Sequence, residues 1–487
     1  MDNKANRITL QNIARKAMIA KGLEPDFPAA VLAELKDLTV PAICQPSLGK
    51  DLRDRLWCSI DNTDSLDLDQ LTYAEHLPEE KVRVFVAIAD VDALVLAQSK
   101  IDLHASKNTT SVYTVAQMFP MLPEKLSTDL TSLGFNADRC ALVVEMVVDD
   151  DGTVEQSVIY MAIVQNRAKL DYISLGSWLE GTGPIPEEVK RVKGLDENIK
   201  LQDRTAQKMK ELRYEHGALN LETIEARPVF EGDALSEMRV EQKNRAKDLI
   251  EDFMIASNSA TARFLTGKNF PSLRRVVRVP KEWDRIVELA SENGFSLPAV
   301  ADSKSLSEYL KFFKQKDQDH FTDMSLSVLK LLGSGEYILE KPGDSDEGHF
   351  GLAVKDYTHS TAPNRRYPDL VTQRLLKAAV SNKPVPYTLV QLDQIAKQCT
   401  LKEDDVKKVE RQVEKSANAI LMESRIGEEF DAIVSGASPK GTWIRLLHPH
   451  VEGKLVKGYN GLKVGQKLKV RLIQINVEAG FIDFERV

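Results

Sequence analysis

The sequence predicts a multidomain α+β protein, a mixed α/β domain followed by a small all-β barrel of the OB type. Three observations predict it. Residues 48 to 160 are rich in β-branched runs, helical spacing dominates from Arg204 onward, and short strands with glycine turns close the chain.

Taken in order, the first segment, to about Pro41, reads as helical. Ile13, Ala17 and Met18 share one face, and a second helix after Pro28 carries Val31, Leu32 and Leu35. The expectation is a small helical preface. V-R-V-F-V-A-I-A-D-V (Val82 to Val91) is the nearly continuous apolar run of a strand buried on both faces. A-L-V-V-E-M-V-V-D-D-D-G-T-V feeds an Asp151-Gly152 turn. Leu249, Ile250, Phe253, Met254 and Ala260 form a broad helical face. A helix over roughly 401–424 aligns Val406, Val409, Val413 and Ile420, its other, charged faces reading as solvated surface. About five strands follow from Phe430, as a small closed barrel requires. The expected division is 1–45 helical segment, 46–385 mixed α/β domain, 386–425 helical connection and 426–487 OB-fold domain.

Composition narrows the function. At 487 residues, with 43% hydrophobic and 28% charged, the chain has the profile of a soluble globular protein, which excludes a disordered one. A net charge of −8 excludes a wholly basic nucleic-acid coat protein, so an anionic ligand needs a local basic groove. Cys44, Cys58, Cys140 and Cys399 form no C-x-x-C pair and predict neither a zinc site nor a disulfide framework. The start M-D-N-K-A-N-R lacks a signal-peptide core, and no uncharged run reaches membrane-spanning length. A cytoplasmic protein without membrane contact is expected.

Chemistry concentrates in two places. Between Cys58 and Gln70 the loop C-S-I-D-N-T-D-S-L-D-L-D-Q packs Asp61, Asp64, Asp67 and Asp69 together after the apolar Leu56, Trp57 and Ile60. Like charges so close raise one another's pKa unless a cation cancels them, and Mg²⁺ prefers carboxylate oxygen. The plain alternative is a solvated acidic loop. An EF-hand reading fails, because Leu66 and Thr72 stand where its glycine and closing glutamate belong. The second place is Y-T-H-S-T-A-P-N-R-R-Y-P-D-L, where Arg365 and Arg366 precede a helix opened by Pro368. Arginine forks beside unpaired helix N–H groups favour a phosphate. No G-x-x-x-x-G-K-[ST] loop is present, so no nucleoside triphosphate is expected. Metal-assisted hydrolysis of a phosphate ester is the economical reading. In the barrel, Lys454, Lys457, Lys463, Lys467, Lys469 and Arg471 make a basic side, and Trp443 follows the Lys440-Gly441 turn. Positive charge with an aromatic platform suits single-stranded nucleic acid; a core Trp443 with solubilising lysines is the alternative.

The loop I-D-N-T-D-S-L-D-L-D-Q, I-A-D-V (Ile88 to Val91), P-M-L-P-E-K-L-S (Pro120 to Ser127), G-A-L-N-L (Gly217 to Leu221), L-I-E-D-F-M (Leu249 to Met254) and the arginine motif occur together in this order. In that order they resemble the catalytic RNB domain of the ribonuclease II family, over most of residues 48–385. The chain's end resembles the OB-fold module shared with ribosomal protein S-one. The resemblance implies a 3′→5′ exoribonuclease that hydrolyses single-stranded RNA to 5′-nucleoside monophosphates with Mg²⁺, as one or two ions, for which Mn²⁺ substitutes. It assigns Asp61, Asp67 and Asp69 to the metal, Asp69 and Arg365 to catalysis, and Tyr113 and Tyr172 to stacking on the RNA end. It assigns Glu251 or Asp252 to a substrate contact, leaving the choice open. Arg366, Trp443 and Lys454 complete the expected RNA contacts. Gln70 stands where the family has a fourth aspartate and is expected as a neutral oxygen ligand. Larger relatives carry two cold-shock barrels where this chain has residues 1–45. A monomer is expected. The rival from another class is an RNA-binding protein with a weakened metal site.

Overall fold

The computed structural model describes residues 6–44, 49–222, 225–241, 243–318, 320–344, 348–438, 441–462 and 464–487. Both N-terminal helices form, α1 (Asn6–Ala20) and α2 (Ala29–Asp37), the second starting after Pro28. They are more than a preface. Leu10, Ile13 and Ala17 of α1 share a core with Val112, Phe119, Val406, Val409 and Val413.

The central sheet has seven strands. In chain order these are β1 (Gly49–Asp51), β2 (Cys58–Asp61), β3 (Gln70–His76) and β4 (Val82–Ala89), then β7 (Asp138–Val148), β8 (Val154–Gln165) and β9 (Ala168–Asp171). Between β4 and β7 lie α3 (Lys100–Asn108) and the short ladder of β5 (Val112–Tyr113) with β6 (Met118–Phe119). The spatial order is β1-β8-β7-β4-β3-β2-β9, antiparallel except where β1 meets β8 and β2 meets β9. β4 sits in the middle with Val84, Val86, Ala87 and Ile88 buried. Coverage of both faces is why its sequence does not alternate.

Helices α4 (Tyr172–Leu179), α5 (Glu187–Lys190) and α6 (Leu195–Glu215) follow, then the hairpin β10 (Glu225–Glu231) and β11 (Ala234–Glu241), and α7 (Arg245–Gly267). α6 lies along α7, which packs on β7 and β8. Strand β12 (Ser272–Val276) pairs with β13 (Glu336–Glu340) across α8 (Trp283–Glu292), α9 (Ser303–Lys316) and α10 (Phe321–Leu332), which share their own core around Tyr309 and Phe321. Next come α11 (Tyr367–Val380) and α12 (Leu389–Met422). The chain ends in a closed barrel ordered β14 (Glu429–Ser438), β15 (Gly441–Leu446), β16 (Glu452–Lys457), β18 (Phe481–Arg486) and β17 (Lys467–Asn476). Alternate residues such as Ile444, Leu455, Leu472 and Phe484 fill it. A Cβ on Gly453 would meet the Phe484 ring at 2.4 Å, so only glycine lets β16 approach β18 there.

Four expectations need correction. The helix expected from residue 401 starts at Leu389, because Thr388 and Gln391 form a capping box ahead of the apolar stripe. The region after Arg204 is not all helical, since the β10–β11 hairpin and the β12–β13 pair interrupt it. Its charged α12 face is not simply solvated, because Glu403 pairs with buried Arg275 and Glu410 accepts the Tyr113 N–H. Cys44 and Cys140 form a disulfide, their Cα atoms 5.5 Å apart. A separation of 96 residues leaves no spacing signature from which to read it.

Candidate active site

The acidic loop is built by the edges of two strands. β2 ends at Asp61, paired in parallel register with Asp171, and Asp61 Oδ1 accepts from the Asn62 N–H and the Ser65 hydroxyl. β3 begins one residue after Asp69, whose carbonyl accepts the Ala89 N–H at 2.9 Å. Asp69 is 2% exposed. Its Oδ1 accepts the backbone N–H of Asn364 at 3.0 Å, and its Oδ2 lies 3.5 Å from Arg365 Nε. Burial pushes the Asp69 carboxyl up to about 7; Arg365 and the Asn364 N–H oppose that rise, and Asp67 adds to it. Asp67 is raised as well, by burial and then by Asp61 and Asp64 against Arg365. Asp64 itself is exposed and turns to Arg227 at 3.9 Å.

The arginine loop is fixed from behind. Thr358 donates to the Leu273 carbonyl, Ser360 bonds Asn258 of α7, and the Ala362 N–H donates to Asp369 of α11. The Arg365 carbonyl accepts from Ser111 N–H and Thr110 Oγ1, both at 3.0 Å. The two arginines then part. Arg365 is 42% exposed on its side chain beside Asp69, whereas Arg366 is tied to Asp369 at 2.7 Å with Tyr337 and Tyr357 nearby. Arg366, expected to touch RNA, braces the helix start, where the buried Asp369 carboxylate needs a counter-charge. Asn364, which precedes both arginines, is 1% exposed, and its Nδ2 has no hydrogen-bond partner among the described residues.

Two tyrosines face the same charges. Burial raises the Tyr113 hydroxyl, Arg365 lowers it, and Asp67, Asp69 and Asp61 add to the rise. Burial raises Tyr172 too, with Asp61 adding and Arg365 opposing. Tyr172 opens α4 directly after its cap Asp171, the β9 neighbour of Asp61, so sheet register brings it to the loop. Asp61, Asp67, Asp69, Arg365, Tyr113 and Tyr172 therefore form one electrostatic group drawn from distant segments. They are not a closed ligand set, since no three carboxylate, histidine or cysteine side chains converge as a metal-binding group among the described residues. By donor chemistry they still fit a hard cation. Buried carboxylates that push one another toward protonation are relieved by a divalent ion.

The remaining expected residues lie as follows. Gln70 directly follows Asp69, opens β3 and pairs with Ile88. Asp252 is buried against Arg213, with its carboxyl raised by burial to about 6; Glu251 is 40% exposed and pairs with Lys243 at 2.7 Å. Trp443 is half-buried on the barrel wall, opposite exposed Lys454. The basic side is interleaved with acids, because Lys457 meets Glu485 and Arg471 meets Glu429. Lys440 and Lys463 lie outside the described residues. Sequence reasoning missed Glu410, Asn364, Thr131 and Ser132. Their signal was confined to lying near a quoted motif or on a charged helix face, which many inert residues share.

Residues 49–382 match the family described as RNB domain, and residues 428–487 match the RNase II-type exonuclease C-terminal S1 domain. The chain is 27% identical to Ribonuclease R 1 of Lactococcus lactis over 493 residues, covering 94% of this chain and 59% of that protein. It is 29% identical to Ribonuclease R of Vibrio cholerae over 500 residues, covering 95% and 60%. It thus spans about three-fifths of the length of the curated relatives it matches. In fold it resembles Mycoplasma genitalium RNase R, solved in complex with ribose-methylated single-stranded RNA. That likeness has a TM-score of 0.87 at 23% identity, covering 98% of this chain and 78% of the other.

Proposed function

The chain belongs to the RNB-domain family, and we propose that it is a Mg²⁺-dependent, hydrolytic 3′→5′ exoribonuclease that releases 5′-nucleoside monophosphates from single-stranded RNA. One observation carries this reading. The Asn364-Arg365 loop holds buried Asp69 and half-exposed Arg365 against each other, with Tyr113 and Tyr172 beside them. Arg365 neutralises charge on the attacked phosphate, where an oriented cation stabilises the transition state most. The tyrosine rings stack on bases without reading them, and Glu251, rather than buried Asp252, offers an accessible carboxylate for a ribose hydroxyl. The orphan Asn364 Nδ2 is a donor for an anionic oxygen. Asp61, Asp67 and Asp69, with Gln70 as a neutral member, would hold the metal; when bound, it polarises the phosphate and lowers the pKa of water.

A path for the strand is supported by a cavity of about 1100 Å³ between barrel and body, lined by Glu414 and Asn418 of α12, by Arg425 just beyond its end, and by Arg445 and Glu452. Glu410, bonded to Tyr113, precedes Glu414 and Asn418 by helical turns, so one side of α12 leads from the tyrosine to the barrel. Trp443 and Lys454 extend the RNA contact there. The division at 1–45, 46–385, 386–425 and 426–487, a monomeric state and a cytoplasmic location belong to the same proposal. No helix among the described residues is long and apolar enough to cross a membrane.

The rival, an RNA-binding protein with a weakened metal site, draws on the unconverged carboxylates and on Gln70. End-labelled RNA incubated with Mg²⁺ or with EDTA decides between them. Stepwise shortening from the 3′ end with mononucleotide products, lost in EDTA, is expected. RNA bound but intact in Mg²⁺ would establish the rival.

A further inference from the structure

We propose that Thr131 and Ser132 are positioning residues that lock the acidic loop and the arginine loop into one register. This rests on the reading above, in which Asp69 and Arg365 act together. Ser132 Oγ donates to the Leu66 carbonyl at 2.7 Å and accepts the Leu68 N–H at 3.1 Å. The Leu133 N–H adds a bond to the Leu68 carbonyl at 2.9 Å. Those contacts flank Asp67 and stop one residue short of Asp69. The Thr131 hydroxyl donates its one hydrogen to Asn364 Oδ1 at 2.5 Å, leaving the Leu126 carbonyl, 2.8 Å from the same oxygen, to the Thr131 N–H. Asn364 is the residue whose own N–H holds Asp69 and whose successor is Arg365. One dipeptide therefore grips both loops, Ser132 the first and Thr131 the second.

The grip is buried and preorganised. Thr131, Ser132 and Asn364 are 4%, 1% and 1% exposed, so water does not compete for their bonds. The segment leading in, P-M-L-P-E-K-L-S, continues into the wide helical turn Lys125–Leu130, whose Leu126 carbonyl accepts the Thr131 N–H. That turn gives the motif a physical task, to deliver two adjacent hydroxyls to two loops far apart in sequence. Neither hydroxyl is a partner of Asp69 or Arg365 themselves. They act through Leu66, Leu68 and Asn364.

The test uses the full chain with Thr131→Val, Thr131→Ser and Ser132→Ala. In Thr131→Val and Ser132→Ala, kcat on end-labelled RNA should fall about ten- to a hundredfold, the effect of a displacement on the order of 1 Å at the reacting groups. KM and RNA affinity without metal should stay within about twofold, and Thr131→Ser should keep near-normal kcat. Amide hydrogen exchange in EDTA supplies a readout independent of turnover. Exchange should quicken about tenfold at Asn364 in Thr131→Val and at Leu68 in Ser132→Ala, while β4 stays protected. Unchanged exchange at those two amides overturns the proposal, as does a uniform rise across β4, which would mean general loosening. Should Thr131→Val fail to fold, Ser132→Ala decides by the same readouts. A wild-type chain that leaves RNA intact would sink the exoribonuclease reading, and the exchange result would still judge the clamp.

Discussion

Asp69→Asn separates what the site does from what it costs the fold. The residue is 2% exposed and its carboxyl pKa stands at about 7 against an ordinary 3.8, a difference of about 3 units. At 1.36 kcal/mol per unit, the ionised form costs the metal-free protein on the order of 4 kcal/mol. For an acid raised on folding, the stabilising contribution is complete below 3.8 and is lost as pH rises through about 7. Wild-type protein in EDTA should therefore lose stability between about pH 4 and pH 8. Asparagine carries no charge and keeps an oxygen for the Asn364 N–H, so the variant should lack that loss and melt higher at pH 8. Its turnover in Mg²⁺ should fall at least about a hundredfold, as when one preorganised charge-stabilising group is removed. RNA affinity without metal should hold. The assays are thermal melts in EDTA from pH 5 to 8 and single-turnover hydrolysis in Mg²⁺. Near-normal turnover would remove the loop from the mechanism, and a variant that melts lower than wild type at pH 8 would refute the burial argument.

Other outcomes follow from the same geometry. Gln70→Asp should lower the Mg²⁺ concentration for half-maximal activity several-fold if the residue reaches the ions, because an added charge within about 4–6 Å matters. A titration that overlays wild type would mean that Gln70 does not face the ions. Trp443→Ala combined with Lys454→Ala should weaken RNA binding and reduce the log–log salt slope by about 0.7 for the one cation lost. An unchanged slope would restrict these residues to solubility. Burial, reinforced by Arg275, depresses His349 to about 4, so the neutral ring stabilises the fold above 6.5 and that stability is lost as pH falls toward 4. Chemical denaturation from pH 7 down to pH 4.5 should show a decline on the order of 3 kcal/mol for His349. A flat profile would place this ring in water.

The elements with strong local signals were legible before folding. β4 announced itself by an unbroken apolar run, the Asp151-Gly152 turn by its dipeptide, and the barrel by glycine-separated short strands. The acidic and arginine motifs were equally plain, because closely spaced charges of one kind are rare enough to demand a reason. Where the sequence alone fell short, the deciding contact was long-range. Arg365 and Arg366 are adjacent and chemically identical, yet only the placement of Asp369 and Tyr337 sends one into the body and leaves the other at Asp69. Glu251 and Asp252 were likewise inseparable until Arg213 of α6 took the second. Glu410, Thr131 and Ser132 gained their partners only when α12 and the 125–133 segment were laid against loops more than sixty residues away. Residue type and spacing determined which chemistry the chain carries. Tertiary packing decided which copies of each group face it, because burial and pairing depend on neighbours that spacing along the chain does not encode.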